Sequence, residues 1–309
     1  MPPIKNVAVF GASGRVGTVV VSALRSAGFS VTAIARPGSN AAHPSDLVVK
    51  RAAYDDFDSL VAILRGHHAI VEAFNPAAAE WQATIVKAAL AAGVSHLITP
   101  DFSTDTFSPH ASEIMIFEPK LKAQKELERL TSSPDCPLSW TAILTNGWYD
   151  WAIDVGVFWV NKADRTITRF GSGDQKYAMS RLDICGEATV AVLQEPEKFR
   201  NRPAYFSHHT VSNNELISII REVFPQEEWK VLDVPVKDFL GEGLKLWHAD
   251  TGKGVTNRLE TKAYQMLGTI AIFDEDNRFG GDFGEKAEPG YDAGLDSLKQ
   301  DLKRLLTST

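Results

Sequence analysis

Three glycines follow the first apolar run of the chain at intervals of three residues. The stretch VAVFGASGRVG places them between a β-branched segment and a pattern of helical spacing. In such a turn the first glycine permits a tight bend, the second lets backbone amides approach a phosphate, and the third lets the helix pack closely on the strand. The order of these features predicts a dinucleotide site, with a turn that binds no ligand as the alternative. The predicted cofactor contacts in this loop are Gly11, Ser13, Gly14, Arg15, Val16 and Gly17.

A cation at the end of the second predicted strand indicates which dinucleotide binds. An NAD-binding fold of this kind carries an acidic residue there, whereas SVTAIAR ends in Arg36. A guanidinium binds the 2′-phosphate of NADP and stacks on adenine. Arg15 offers a second cation inside the glycine loop. We therefore predict NADPH as cofactor, and the alternative for both arginines is plain solvent exposure.

Two other kinds of chemistry find little support in the sequence. None of the tyrosines is followed by lysine four residues later, so the Tyr-x-x-x-Lys pair common in short-chain dehydrogenases does not occur. The pairs His67–His68 and His208–His209 have no third ligand at metal spacing, and no metal site is predicted.

The elements that position these residues follow an alternating order. Apolar runs separated by segments of helical spacing are typical of a parallel sheet wrapped by helices. We predict an α/β fold, a Rossmann-type doubly wound parallel sheet with a smaller α+β substrate lobe. The predicted division is an NAD(P)-binding domain over 1–147 and a substrate-binding lobe over 148–309, although the chain can cross back between them. Predicted strands cover 6–10, 30–36, 47–53, 69–74, 95–99 and 138–144, two more lie within 166–180, and predicted helices cover 16–27, 56–64, 79–93, 119–130 and 183–193.

Composition limits the partners. The 309 residues are 44% hydrophobic and 23% charged, with a formal net charge of -7, which argues against nucleic acid as the main partner. Cys136 and Cys185 form no pairable framework and are expected to be reduced thiols. The chain shows no signal peptide and no apolar run long enough to span a bilayer, so a cytoplasmic protein without membrane contacts is expected. A monomer or homodimer is expected.

Four segments together carry a resemblance to a known family. VAVFGASGRVG, IARPGSN, HLITPDFSTDTF and FEPKLKAQKELERL resemble the isoflavone reductase-like group of the NmrA-like atypical short-chain dehydrogenases. That group includes phenylcoumaran benzylic ether reductases and pinoresinol-lariciresinol reductases. The resemblance covers residues 4–160 and becomes thin afterwards, apart from SRLDICGEATVAVL. Where the family carries Pro-Ser-Glu-Phe-Gly after the fifth strand, this chain has TPDFS, which keeps an acid and the phenylalanine but loses the glycine.

The resemblance implies roles for particular residues. The family's catalytic lysine lies in a Phe-Glu-x-Lys segment, which Lys120 matches here. Helical spacing agrees, because Lys120 shares a face with Leu127, whereas Lys122 and Lys125 belong to a charged face. The alternative is that Lys120 extends to water. The further cofactor-binding residues implied by the resemblance are Phe74, Asn75, Gln82, Asp101, Phe102 and Asn146.

The predicted activity is reduction of a small aromatic or conjugated molecule, such as an enone, a benzylic ether or a quinone methide. Lys120 would act as general acid or base, and Trp148 and Tyr149 would contact the substrate or else pack the lobe. Glu72, inside an apolar strand, is either a buried partner of a backbone donor or a neighbour of the cofactor. Two other functions stay open, namely an NmrA-like regulator that senses the dinucleotide without turnover and an enzyme of a non-redox rearrangement.

Overall fold

A computed structural model of the protein describes residues 3–307, with the backbone alone at residues 76 and 77. Strands are numbered in chain order. The described strands are β1 (Asn6–Phe10), β2 (Ser30–Ala35), β3 (Val48–Arg51), β4 (Ala69–Glu72), β5 (His96–Ile98), β6 (Ser139–Leu144), β7 (Gly147–Trp148), β8 (Val160–Asn161), β9 (Thr166–Phe170), β10 (Lys176–Ser180), β11 (Arg202–Tyr205), β12 (His209–Ser212) and β13 (Lys230–Val234).

The helices of the same residues connect these strands. They are α1 (Arg15–Ser26), α2 (Phe57–Leu64), α3 (Gln82–Ala92), α4 (Glu118–Leu130), α5 (Tyr149–Val155), α6 (Ile184–Gln194), α7 (Asn213–Val223), α8 (Phe239–Gly252), α9 (Lys262–Phe273) and α10 (Gly294–Thr307). Short 3₁₀ helices cover Pro76–Trp81, Ala111–Glu113, Met115–Phe117 and Gly284–Lys286.

Within residues 3–307, seven strands form the large sheet in the order β11-β6-β5-β4-β1-β2-β3. The pairings among β1 to β6 are parallel. The run β3-β2-β1-β4-β5-β6 is the strand order of a dinucleotide-binding sheet. The chain adds β2 and β3 on one side of β1 and then β4 to β6 on the other side, so the order of strands reverses between β1 and β4. All four residues of β4 are buried, as is expected of a central parallel strand covered on both faces. The predicted Rossmann-type α/β fold is confirmed.

The described residues divide into two compact units. Unit 1 comprises Met1–Phe102, Pro119–Leu144 and Asp183–Ala204, and unit 2 comprises Ser103–Glu118, Thr145–Leu182 and Tyr205–Thr309, within the described range. Unit 1 holds the parallel sheet. Unit 2 contains two three-stranded sheets, β12-β10-β7 and β13-β9-β8. The predicted boundary after residue 147 stays a prediction.

Several element bounds differ from the sequence prediction. The segment predicted as helix 79–93 begins as the 3₁₀ helix Pro76–Trp81 and becomes α-helical at Gln82. Two strands do lie within 166–180, but β9 pairs with β8 and β13 while β10 pairs with β7 and β12. The sequence prediction gives no strand at β11, because its short segment RPAY has no apolar periodicity. Pairing with the neighbouring strand β6 makes this segment a strand in the folded protein.

None of the helices within residues 3–307 is both long and apolar enough to cross a membrane.

Candidate nucleotide-binding site

The predicted cofactor residues of unit 1 follow the carboxyl ends of neighbouring strands. Gly11 comes directly after β1, Arg36 after β2, Phe74 two residues after β4, and Asp101 three residues after β5. These strands are adjacent in the order β5-β4-β1-β2. Ligands of open α/β sheets bind beyond the carboxyl ends of the strands where the strand order reverses. The fold therefore brings these side chains to one edge of unit 1.

The glycine loop has the geometry that such a turn requires. Gly11 has a φ of +72°, and a Cβ there would lie 2.6 Å from the Ala73 carbonyl oxygen. A Cβ on Gly17 would lie 2.1 Å from the Gly11 carbonyl oxygen, so α1 packs against the loop at a distance only glycine allows. Gly14 is exposed and occupies the N-cap of α1, where it has no side chain to cap the helix. Its own amide donates to the Gly11 carbonyl oxygen at 2.9 Å, so an anion would meet the N-terminus of α1 that follows it.

Polar and cationic side chains surround this loop. Ser13 and Arg15 are exposed and Val16 is half-buried at the first turn of α1. Arg36 is exposed, and its carbonyl oxygen accepts hydrogen bonds from the Ser39 amide at 3.2 Å and the Arg51 guanidinium at 3.3 Å. These bonds hold the backbone that carries Arg36 and leave its side chain toward solvent.

Tyr54 is a member of this neighbourhood that the sequence prediction missed. Its ring packs edge-on against Phe10 at 5.2 Å and lies 5.9 Å from the Phe74 ring. Its hydroxyl donates to the Ile34 carbonyl oxygen at 3.4 Å. Burial raises the pKa of the Tyr54 phenol, while the Gly11 amide and the Arg36 charge act in the opposite direction. No short motif marks this residue, since it follows β3 and only the fold brings it to the loop.

A buried polar pair lies beside the glycine loop. Glu72, the last residue of β4, accepts a hydrogen bond from Nε2 of Gln82 at 2.6 Å. Burial raises the pKa of Glu72 to about 8, the Gln82 bond lowers it, and the Asp101 charge raises it. Phe74 is half-buried and Asn75 is exposed on the segment that joins β4 to α3. Glu72 therefore partners a side chain, which the sequence prediction did not consider.

The predicted lysine lies on α4 and contacts the loop after β5. Nζ of Lys120 donates to the Asp101 carbonyl oxygen at 2.6 Å. The Asp101 carboxylate accepts from the Thr99 hydroxyl at 2.6 Å, and Phe102 has a φ of +32° in the left-handed region. Lys120 is 7% exposed, and burial lowers its pKa whereas the Asp101 charge raises it. The side chain points inward, as helical spacing predicts, and Lys122 and Lys125 are exposed.

The remaining predicted residues belong to unit 2. Asn146 has a φ of +53°, and its Nδ2 donates to the Gly281 carbonyl oxygen at 2.7 Å. Trp148 is half-buried, and its indole N–H donates to the Thr145 hydroxyl at 3.1 Å. Tyr149 is 2% exposed and its hydroxyl donates to Asp301 at 2.7 Å. Contacts within unit 2 thus occupy these three donors, whereas Oδ1 of Asn146 is buried without a hydrogen-bond partner among the described residues, and the roles of all three residues stay predictions.

Comparison with known proteins assigns this chain to a family. The fold and the glycine loop define a Rossmann-type nucleotide-binding protein, and the NmrA-like family model matches residues 3–240. A relative, the oxidoreductase aprR of Aspergillus flavus, is 30% identical over 232 residues, which are 73% of this chain and 76% of the relative. The protein belongs to the NmrA-like family.

Solved structures share the fold. The complex of leucoanthocyanidin reductase with NADPH from Vitis vinifera has a TM-score of 0.74 at 16% identity and covers 98% of this chain and 100% of its own. The structure of AtPrR2 with NADP+ and (+)-pinoresinol has a TM-score of 0.72 at 17% identity and covers 99% and 100%. At these identities the likeness shows a common fold, and it agrees with the group expected from the sequence.

Proposed function

We propose that the protein is an NADPH-dependent oxidoreductase that reduces a small aromatic or conjugated molecule, with Lys120 as its acid-base group. The observation that carries this proposal is the buried amine of Lys120, held beside Asp101 at the strand ends that also carry the glycine loop. A relative that bears the name oxidoreductase supports the class of reaction. Similar folds solved with NADPH and with NADP+ support the cofactor.

The residues of unit 1 fit the two ends of such a cofactor. The N-terminus of α1, which follows Gly14, binds the pyrophosphate, because a helix N-terminus directs N–H groups and positive potential at an anion. Arg36 binds the 2′-phosphate by a charge-assisted hydrogen bond. When bound, NADPH supplies a hydride to an electrophilic carbon of the substrate.

Lys120 handles the proton of the same reaction. Its lowered pKa increases the share of neutral amine that can accept a proton from a substrate hydroxyl. In the charged form, Nζ donates to a developing oxyanion. The bond to the Asp101 carbonyl oxygen orients Nζ, and the Thr99–Asp101 hydrogen bond supports that loop. The substrate is an enone, a benzylic ether or a quinone methide, since in each a hydride added at carbon leaves negative charge on an oxygen, which is the enolate oxygen, the oxygen released by C–O cleavage or the phenolate oxygen, and Lys120 can protonate it.

The test compares Lys120→Met with Lys122→Met and Lys125→Met. Methionine keeps the apolar stem of Lys120 and removes the amine. NADPH consumption with a panel of aromatic metabolites, followed by product mass, is expected to fall by roughly a hundred- to ten-thousandfold in Lys120→Met alone. NADPH affinity is expected to stay near the parent value.

Three results would count against this proposal. Parent-like turnover of Lys120→Met would remove the lysine from the mechanism. A larger loss in either control variant would place the acid-base group on the charged face of α4. Binding of NADPH by a parent protein that consumes none with any member of the panel would favour a dinucleotide sensor instead.

A further inference from the structure

A buried acid lies at the carboxyl end of the central strand β4. Glu72 is 0% exposed and pairs in register with Phe10, the residue before Gly11. The next residue, Ala73, lies so close to Gly11 that a Cβ there would meet the Ala73 carbonyl oxygen at 2.6 Å. The end of β4 that carries Glu72 therefore packs directly against the glycine loop.

The hydrogen bonds of this acid are incomplete. Oε2 of Glu72 accepts from Nε2 of Gln82 at 2.6 Å. Oε1 of Glu72 and Oε1 of Gln82 are both buried and find no hydrogen-bond partner among the residues that the structure describes. Two buried acceptors without a donor lower the stability of the folded protein. A proton on the carboxyl of Glu72 converts one of these acceptors into a donor.

The charges around the carboxyl also favour its neutral form. The neighbouring titratable groups are Asp101 after β5, which has the same sign, and Tyr54 after β3, whose phenol has a raised pKa. The partner from α3 is the neutral amide of Gln82. Burial and the Asp101 charge together raise the pKa of Glu72 to about 8. Beyond Asp101, the Lys120 amine donates to the Asp101 carbonyl oxygen, and burial lowers the pKa of this lysine.

We propose that Glu72 is a positioning residue of the nucleotide site that works in its protonated form. The neutral carboxyl holds Gln82 at the first turn of α3 and puts no negative charge next to the loop that binds the pyrophosphate. Loss of the proton leaves an anion beside the cofactor phosphates and removes a donor from the Glu72–Gln82 pair. Both effects weaken dinucleotide binding as the pH rises. This inference rests on the proposed binding of NADPH.

The experiment measures the NADPH dissociation constant from pH 6.5 to 9.5. The parent constant is expected to rise about tenfold through a step near pH 8, the size of effect that one nearby like charge produces. Glu72→Gln has the same shape and no proton to lose. It is expected to bind within about threefold of the parent at pH 7 and to show no step. Glu72→Met is also neutral but cannot hold Gln82 by a hydrogen bond, so it is expected to bind NADPH more weakly than Glu72→Gln at every pH.

Two controls separate other titrations from that of Glu72. Glu80→Gln removes an exposed acid two residues before Gln82 and is expected to keep the step. Lys120→Met removes the buried amine that contacts Asp101 and is expected to keep the step as well. The infrared band of a protonated carboxyl, present in the parent at pH 7 and lost in Glu72→Gln, reports the proton without any nucleotide.

The outcomes distinguish this inference from the proposed function. A step of equal size in Glu72→Gln, or equal NADPH affinity of Glu72→Gln and Glu72→Met, overturns the positioning role while NADPH binding stands. A parent that binds no NADPH at any pH overturns the proposed function, and the inference with it. Thermal unfolding of each variant confirms that the measured protein is folded.

Discussion

At the scale of single residues, Arg36 is the group expected to distinguish two cofactors that differ by one phosphate. Its backbone is fixed by hydrogen bonds from Ser39 and Arg51, while the guanidinium is exposed after β2. Such an arrangement presents a charge to solvent at a defined place without a competing role in the core. In the same neighbourhood, the buried Tyr54 ring packs edge-on against Phe10. The buried Tyr54 ring and the exposed Arg36 guanidinium thus have different expected roles, the first in packing and the second in binding a phosphate.

Substitution Arg36→Ala is expected to weaken NADPH binding by about ten- to a hundredfold and to leave NADH binding nearly unchanged. The reason is the loss of a charge-assisted contact worth roughly 1.5–3 kcal/mol, which only the phosphorylated cofactor makes. Titration of both cofactors measures the effect. The exposed Arg65 at the end of α2 is the matched control, and Arg65→Ala is expected to bind both cofactors as the parent does. An equal loss for NADH and NADPH in Arg36→Ala would show that this arginine does not read the phosphate.

At the scale of elements, α1 must approach β1 closely for its N-terminus to reach a phosphate. Gly17 makes this possible, because any Cβ there would collide with the Gly11 carbonyl oxygen at 2.1 Å. The opposing atoms are backbone, which cannot move aside like the end of a flexible side chain. The approach of helix and strand is thus fixed by one residue without a side chain.

The variant Gly17→Ala is expected to lower the free energy of unfolding by about 1–3 kcal/mol or more, since overpacking forces the backbone of the loop to shift. Weaker NADPH binding is expected to accompany the loss. Gly241 in α8 provides a helical control, because a Cβ there meets nothing within 4 Å. Gly241→Ala is expected to be neutral or to stabilise by about 0.5–1 kcal/mol, owing to the higher helix propensity of alanine. Chemical denaturation measures both, and a Gly17→Ala protein as stable as the parent would contradict the packing argument.

At the scale of the whole molecule, buried titratable groups set the dependence of stability on pH. Burial lowers the pKa of His96 to about 4, and this ring contacts the Ser139 hydroxyl at 2.8 Å inside the sheet. Burial also lowers the pKa of His209 to about 4. The pKa of Glu72 shifts in the opposite direction, because burial raises it from 4.5 to about 8. Unfolding exposes all three groups to water.

The signs give an expected maximum of stability near pH 6.5. Below pH 6.5 the unfolded histidines bind protons that the folded ones do not, so two histidines outweigh Glu72 and stability falls as the pH falls. Between pH 6.5 and about 8, folded Glu72 keeps a proton that the unfolded chain has lost, and stability falls as the pH rises. Over that upper range the net loss is about 1 kcal/mol, because the unfolded histidines still offset part of the roughly 1.4 kcal/mol per pH unit that Glu72 contributes. Urea denaturation at several pH values checks this, and Glu72→Gln is expected to lack the upper fall. A parent profile that rises from pH 6.5 to 8 would show that Glu72 is ionised in the folded protein, because the two histidines would then act alone.

Local patterns in the sequence determined the class of fold. The apolar runs that became β1, β2, β4 and β6 are continuous because parallel strands are buried on both faces, and such runs are readable without tertiary information. The three glycines were readable for the same reason, since a strand, a tight turn and a helix lie within one short stretch. The face of α4 that buries Lys120 follows from helical period alone.

Tertiary structure decided which distant residues meet. Tyr54 follows β3, and its ring reaches Phe10 beside the glycine loop only because β3 lies next to β2 and β2 next to β1 in the sheet. β9 pairs with β13, 64 residues further along the chain, and β10 pairs with β12, 30 to 36 residues further along, and no turn signal between β9 and β10 encodes these pairings. Glu72 stood out in the sequence as an acid in an apolar strand, but its partner Gln82 and its neighbour Asp101 come from other elements. A charge in a strand can be read from the sequence, whereas its protonation depends on burial and on neighbours that only the folded chain supplies.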